Sequence, residues 1–157
     1  MSKSTPATAA LARAGVAFEL VGYAYEPGAE RIGLQAAEAL GEPPRRVLKT
    51  LMTKVDGKPV CVILPSDREV SMKKLAAALG GRSAEMMAPA DAERITGYRI
   101  GGVSPFGQKR PAPAVIEQTA LAEPYVFVNA GQRGLQLRLD PGAARAALNA
   151  VAASVVA

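Results

Sequence analysis

Nine residues, Gly101-Gly-Val-Ser104-Pro105-Phe-Gly107-Gln-Lys109, hold the densest chemistry-bearing pattern in this chain. Paired glycines let bare backbone N–H groups approach a ligand, where they can stabilise a developing oxyanion. The same pair also suits a β-bulge or a strand end, so alone it reads either way. Pro105 stiffens the loop and Ser104 can order it, but Ser104 has no general base beside it to make it a nucleophile. The chain has no histidine and a single cysteine, Cys61. That removes Ser-His-Asp and Cys-His arrangements, imidazole metal sites and thiolate clusters. A carboxylate-only Mg²⁺ site stays open, but Asp and Glu are scattered without a dense cluster, and the expectation is no metal and no cofactor. Cys61 lies within Val-Cys-Val-Ile-Leu and reads as a buried, inert thiol. Chemistry here falls to backbone donors, hydroxyls, lysines or the substrate itself.

Three other positions stand out. Lys49 interrupts the apolar run Val-Leu-Lys-Thr50-Leu-Met, where a lysine points either to solvent or to a phosphate in a pocket. By alternation it shares a face with Val47, Leu51 and Thr53. Gly131-Gln-Arg133-Gly134 reads as a glycine-flanked hairpin connection. Tyr23 offers a hydroxyl to a ligand, or a ring to the core.

The elements that must position these residues are legible from caps, turns and alternation. Thr5 and Pro6 start a first helix that stops at Gly15, and Val16 to Tyr25 reads as a strand. A short helix spans about Gly33 to Leu40. Val47 to Val55 and Pro59 to Leu64 are strands joined by Asp56-Gly57, a hairpin by its turn chemistry. Ser71 caps a helix to Leu79, and another lies between Pro89 and Ile95. Tyr98 to Val103 looks strand-like and feeds the glycine loop. Short strands follow at Val115 to Gln118, Tyr125 to Asn129 and Leu135 to Leu139, and Asp140-Pro141 opens a C-terminal helix. Pro111 to Pro113 reads as a loop, and no internal repeat is visible. The expected class is mixed α/β with a partly closed mixed sheet or barrel.

At 157 residues the chain is most simply one domain, 1–157, with enough length to bury a core. Its net charge of +5 hints at a polyanionic partner, while only 4% aromatic residues argue against a base-stacking platform. No apolar run reaches the ~20 residues of a membrane span, and the N-terminus lacks a signal-peptide core. With one cysteine, a cytoplasmic setting is expected.

Taken together, Tyr23, Val-Leu-Lys49-Thr50-Leu, Thr96-Gly97-Tyr98, the Gly101–Lys109 loop and Gly131-Gln-Arg133-Gly134-Leu resemble the YbaK/EbsC family of aminoacyl-tRNA deacylases. That family shares its fold with the editing domain of bacterial prolyl-tRNA synthetase. The resemblance covers nearly the whole chain. It implies a barrel-like sheet of about six or seven strands flanked by helices, and trans-editing of Cys-tRNA(Pro), with Cys-tRNA(Cys) as a further substrate. It implies the aminoacyl-tRNA 3′ end as ligand and association with prolyl-tRNA synthetase. Lys49 would hold the phosphate or ribose of the terminal adenosine, and Gly101 and Gly102 would present backbone to the ester. Tyr23, Thr50, Ser104, Pro105, Gly107, Lys109, Asn129, Gly131, Arg133 and Gly134 would shape the substrate pocket. The family mechanism needs no protein nucleophile, because the thiol of the cysteinyl group attacks its own ester. Two departures stand near the second glycine turn: Asn129 where relatives often carry serine, and Gln136 where an acidic residue is common. Alternatives are a deacylase for alanine or another small amino acid using an activated water, and a non-catalytic module that binds tRNA ends or a synthetase.

Overall fold

The computed structural model describes residues 4–26 and 32–157. The N-terminal reading therefore lies partly outside the described residues. In chain order the elements are α1 (Pro6–Arg13), β1 (Glu19–Gly22), α2 (Ile32–Leu40), β2 (Leu48–Val55), β3 (Lys58–Pro65), α3 (Met72–Ala78), β4 (Ala84–Met86), α4 (Pro89–Thr96), β5 (Ala114–Glu117), β6 (Val126–Gln132), β7 (Leu135–Leu139), α5 (Pro141–Leu148) and β8 (Val151–Ala153). One-turn 3-10 helices at Pro44–Arg46 and Gln118–Ala122 complete the list.

The local signals act as their chemistry requires. Thr5 and Thr8 form a reciprocal capping box on α1, and the Thr5 hydroxyl also donates to the Ala130 carbonyl at 2.6 Å, tying the helix to β6. Asp56 and Gly57 both take positive φ, 51° and 80°, which a two-residue hairpin turn between twisted strands demands. Ser71 caps α3 and Asp140 caps α5, each accepting from a backbone N–H of the first turn.

One expectation fails. The strands form two sheets, ordered β1-β7-β6 and β4-β2-β3-β5-β8, rather than a single partly closed barrel. Closure would need a ladder between β2 and β6, yet the only bridge there among the described residues is an isolated parallel one between Val47, just before β2, and Phe127 of β6. On the same side of β2, β4 pairs only with Thr53–Val55. The stretch Leu48–Met52 thus carries no ladder on that side.

The second miss is the strand expected over Tyr98 to Val103. Gly101 takes φ +89° and the Gly102 N–H closes a turn on the Arg99 carbonyl at 2.8 Å, so the chain folds back instead of extending. β4 and β8 went unread because three residues carry no periodicity of their own. They become strands only by pairing with β2 and β5.

Alternation sorts the core into layers. In β3, Cys61 and Ile63 face a core shared with Val126, Val128, Leu135 and Leu137 of the smaller sheet. Val60, Val62 and Leu64 face the opposite way, onto Leu75 of α3. A third cluster joins Ala36 and Ala37 of α2 to Val47 and Phe127.

Glu117 pins the C-terminal segment. It is 1% exposed and accepts backbone N–H bonds from Thr119 and Val155, both at 2.9 Å. Burial pushes its pKa up, but these donors outweigh burial and hold it below the usual carboxylate value. A lowered folded-state pKa adds stability above the ordinary carboxylate range and loses it as pH falls through the folded value. We expect thermal stability to drop on acidification below about pH 4. Glu117→Gln should start lower at neutral pH, by about 1.5–3 kcal/mol, and show a flatter acid limb. Parallel acid limbs in melting experiments would rule out Glu117 as the source.

Candidate active site

The gap between the sheets is a cleft of about 430 Å³. Every residue from Val47 to Met52 lines it, which side chains on one face of a strand cannot do. What faces the cleft is the open edge of β2. Ser66 and Glu69 border it after β3, Met86, Met87, Pro89 and Ala92 come from β4 and α4, and Ile100, Gly101 and Val103 from the glycine loop. Asn129 and Gln136, cross-strand partners on β6 and β7, complete the wall from the smaller sheet.

Of the residues singled out by sequence, Lys49, Thr50, Gly101 and Asn129 converge on this cleft. Lys49 is largely buried, with Nζ 3.9 Å from Glu69 Oε1 at the mouth. Alternation on β2 puts Lys49 and Thr50 on opposite faces, and the open edge lets both reach the same space.

The others build the wall from behind. Gly102 is buried, its N–H committed to Arg99, and an added Cβ would press on the Gln132–Arg133 backbone at 3.0–3.3 Å. Ser104 is fully buried; its hydroxyl accepts from the Phe106 N–H and its carbonyl from Gln108 Nε2. Pro105 is buried beside it. Gly107 lies against α1, where a Cβ would overlap the Pro6 carbonyl. Lys109 is exposed, its N–H bonded to the Thr96 carbonyl. Arg133 clasps the Ile100 carbonyl through Nε and Nη2 at 2.9 and 2.7 Å. Gly134 accepts from the Tyr23 N–H at 2.9 Å.

Tyr98 and Asn129 fasten the glycine loop to the β6–β7 hairpin. The Tyr98 hydroxyl donates to the Phe106 carbonyl at 2.6 Å, and its ring lies over Gly131 so closely that a Cβ there would sit 2.6 Å from Cε1. Burial pushes the Tyr98 phenol up to about 12, so it stays a neutral donor. Asn129 Nδ2 donates to the Gly101 carbonyl at 3.3 Å, while Oδ1 accepts from the N–H groups of Gly131 and Gln132 at 2.6 and 3.0 Å. Cys61 is buried with its thiol pushed up to about 12, which bars it from nucleophilic work.

Sequence reasoning missed the apolar lining and the depth of Gln136. Met86 and Ile100 are two of the three exposed large hydrophobic residues among those described, and both line this cleft. That coincidence has no sequence signature, because β4 has no periodicity and Ile100 sits in a turn. Alternation with Leu135, Leu137 and Leu139 would turn Gln136 to solvent, yet its amide is buried, 4% exposed. Its Oε1, Thr50 Oγ1 and the Tyr23 hydroxyl are buried without a hydrogen-bond partner of standard geometry among the described residues. Each such group costs about 1–3 kcal/mol. The Tyr23 phenol is raised by burial; the Gly134 backbone and the neighbouring Gln136 side chain oppose that rise.

Comparison with known proteins identifies the scaffold. The model of the aminoacyl-tRNA editing domain matches residues 26–146. The chain belongs to that family. The editing domain is 41% identical over 109 residues to EbsC of Enterococcus faecalis, whose name assigns it Cys-tRNA(Pro)/Cys-tRNA(Cys) deacylase activity. That match covers 68% of this chain and 66% of EbsC. A proline–tRNA ligase of Nitratidesulfovibrio vulgaris is 37% identical over 81 residues, 52% of this chain and 14% of the ligase. The chain therefore spans just under two thirds of the one relative and a small part of the other. A solved structure named as a trans-editing enzyme for prolyl-tRNA synthetase superposes with TM-score 0.85 over 99% of both chains. At 24% identity it speaks to the fold alone.

The strut role of Asn129 is open to direct test. Asn129→Ala removes three hydrogen bonds and leaves part-buried backbone groups unpaired. Stability should fall by about 2 kcal/mol. Hydrogen exchange should quicken at Gly102 and over residues 131–133 while β3 stays protected. Unchanged exchange at those amides would remove Asn129 from this role.

Proposed function

We propose that this chain is a trans-editing deacylase that clears cysteine from mischarged Cys-tRNA(Pro). The observation that carries the reading is the convergence of Lys49, Thr50, Gly101 and Asn129, from three separate segments, on one cleft in a member of the editing-domain family. The likeness to EbsC supports the substrate class. In this reading residues 1–157 work as one editing unit in the cytoplasm, in association with prolyl-tRNA synthetase. No helix among the described residues is long and apolar enough to cross a membrane.

The chemistry follows from what the cleft offers. Lys49, at the cleft mouth, holds the phosphate or ribose of the terminal adenosine. Gly101 presents backbone to the ester carbonyl, and the buried loop from Gly102 to Gly107 keeps that surface rigid. The sulfur of the substrate cysteinyl group attacks its own ester carbonyl. A C–S bond forms, the ester C–O bond breaks, and the ribose oxygen leaves with the tRNA and takes up the thiol proton. The four-membered thiolactone then opens with water to give cysteine. Fixing thiol and carbonyl together supplies up to about 7–11 kcal/mol, less the ring strain. A backbone donor on the oxyanion adds about 3 kcal/mol.

A panel of charged tRNAs tests this. Cys-tRNA(Pro) should be hydrolysed at least 100-fold faster than Ser-tRNA, whose hydroxyl is the weaker nucleophile. Lys49→Ala should abolish turnover without lowering Tm by more than a few degrees. Equal rates on the two substrates would refute the thiol mechanism, and undiminished turnover in Lys49→Ala would remove Lys49 from the site.

A further inference from the structure

We infer that Gln136, with Thr50, receives the α-amino group of the aminoacyl ester, so that the site accepts only aminoacyl-tRNA whose amino group is unblocked. This rests on the deacylase reading and assigns a specificity determinant within the same cleft. Gln136 lines the cleft while 4% exposed, and its Oε1 has no partner among the described residues. Thr50 on β2 lines the same cleft, and its Oγ1 is likewise buried with no partner among the described residues.

The donor and acceptor inventory decides what they await. A side-chain amide oxygen can only accept, so its missing partner must be a donor. Thr50 Oγ1 can accept alongside it. A group that satisfies both must carry at least two N–H or O–H bonds on one small centre. The α-amino group of an aminoacyl ester does so whether protonated or neutral, since it holds three or two N–H bonds. Rotation about the broad terminal torsion of Gln136 turns the oxygen into the cleft to meet it.

The charged groups nearby fit the assignment. Lys49 and Glu69 also line the cleft, and their 3.9 Å pairing sits at the mouth, where Glu69 is largely exposed. Gln136 reaches the cleft from the other sheet, across the open edge of β2. A neutral amide there accepts from the amino group without competing for Lys49. Acylation of the nitrogen leaves a single N–H to serve two oxygens and adds a carbonyl and a methyl group that the buried pocket must hold. The site then rejects the substrate because the Gln136 and Thr50 oxygens can no longer both accept from the nitrogen.

The experiment compares Cys-tRNA(Pro) with N-acetyl-Cys-tRNA(Pro) on wild-type protein, Gln136→Leu and Thr50→Val. Wild type should cleave the acetylated substrate at least 100-fold more slowly in kcat/KM. Gln136→Leu should lower kcat/KM for the unblocked substrate ten- to 100-fold and cut the discrimination below tenfold. Gln136→Glu, which keeps the acceptor, should preserve the discrimination. Equal cleavage of both substrates by wild type, or full discrimination in folded Gln136→Leu and Thr50→Val, would overturn the inference. If wild type cleaves neither substrate, the deacylase reading fails first. Calorimetry with 3′-cysteinylamino-3′-deoxyadenosine and its N-acetyl form then decides: tenfold tighter binding of the unblocked form, lost in Gln136→Leu, upholds the assignment, and equal or undetectable binding rejects it.

Discussion

A strand edge carries backbone donors and acceptors that must find partners, and the arrangement of this molecule turns on where β2 finds them. On one side β3 pairs along its whole length, from Leu48 opposite Pro65 to Val55 opposite Lys58. On the other side β4 covers the far end and a lone bridge to Phe127 marks the near end. Between them lies an edge of about five residues with no ladder, and both sheets and the glycine loop are arranged around it. A fully closed sheet would remove this edge; here the unclosed interval is the cleft.

The glycine loop gains its meaning from that gap. Gly101–Lys109 is walled in by α1 at Gly107, by the β6–β7 hairpin at Gly102 and by Tyr98 through the Phe106 carbonyl. Most of its residues are therefore spent on rigidity. Rigid support is what a catalytic surface needs, since misplacement of a donor by an ångström can cost a large factor in rate. Ser104, the residue that most resembles a nucleophile, is a buried structural acceptor with no access to the cleft wall. Cys61 is inert and the chain has no histidine, so no side-chain nucleophile paired with an imidazole is available to the cleft.

Polar groups in the cleft follow a different economy from those in the wall. Asn129 bonds to Gly101, Gly131 and Gln132, and the Glu117 carboxylate to Thr119 and Val155, so each fastens segments distant in sequence. Thr50 Oγ1, Gln136 Oε1 and the Tyr23 hydroxyl are buried without a partner among the described residues. Buried polar atoms without partners are uncommon in folded proteins, and each calls for a specific reason.

Local chemistry in the sequence settled the pieces that depend on near neighbours. The Thr5, Ser71 and Asp140 caps, the Asp56-Gly57 turn and the two-faced burial of Val60–Leu64 all follow from residue type and spacing, because caps, turns and alternation act within a few residues. Residue type and spacing also singled out Lys49 and the glycine-rich loop, and the fold brings Lys49 and Gly101 to one cleft. Tertiary structure alone decided that the strands split into two sheets, since whether β6 closes on β2 depends on contacts about 80 residues apart. It alone made strands of Ala84–Met86 and Val151–Ala153, turned Tyr98–Val103 back on itself, and placed Met86, Ile100 and Gln136 in the cleft. Those outcomes rest on which edges meet in space, a quantity that residue spacing along the chain does not encode.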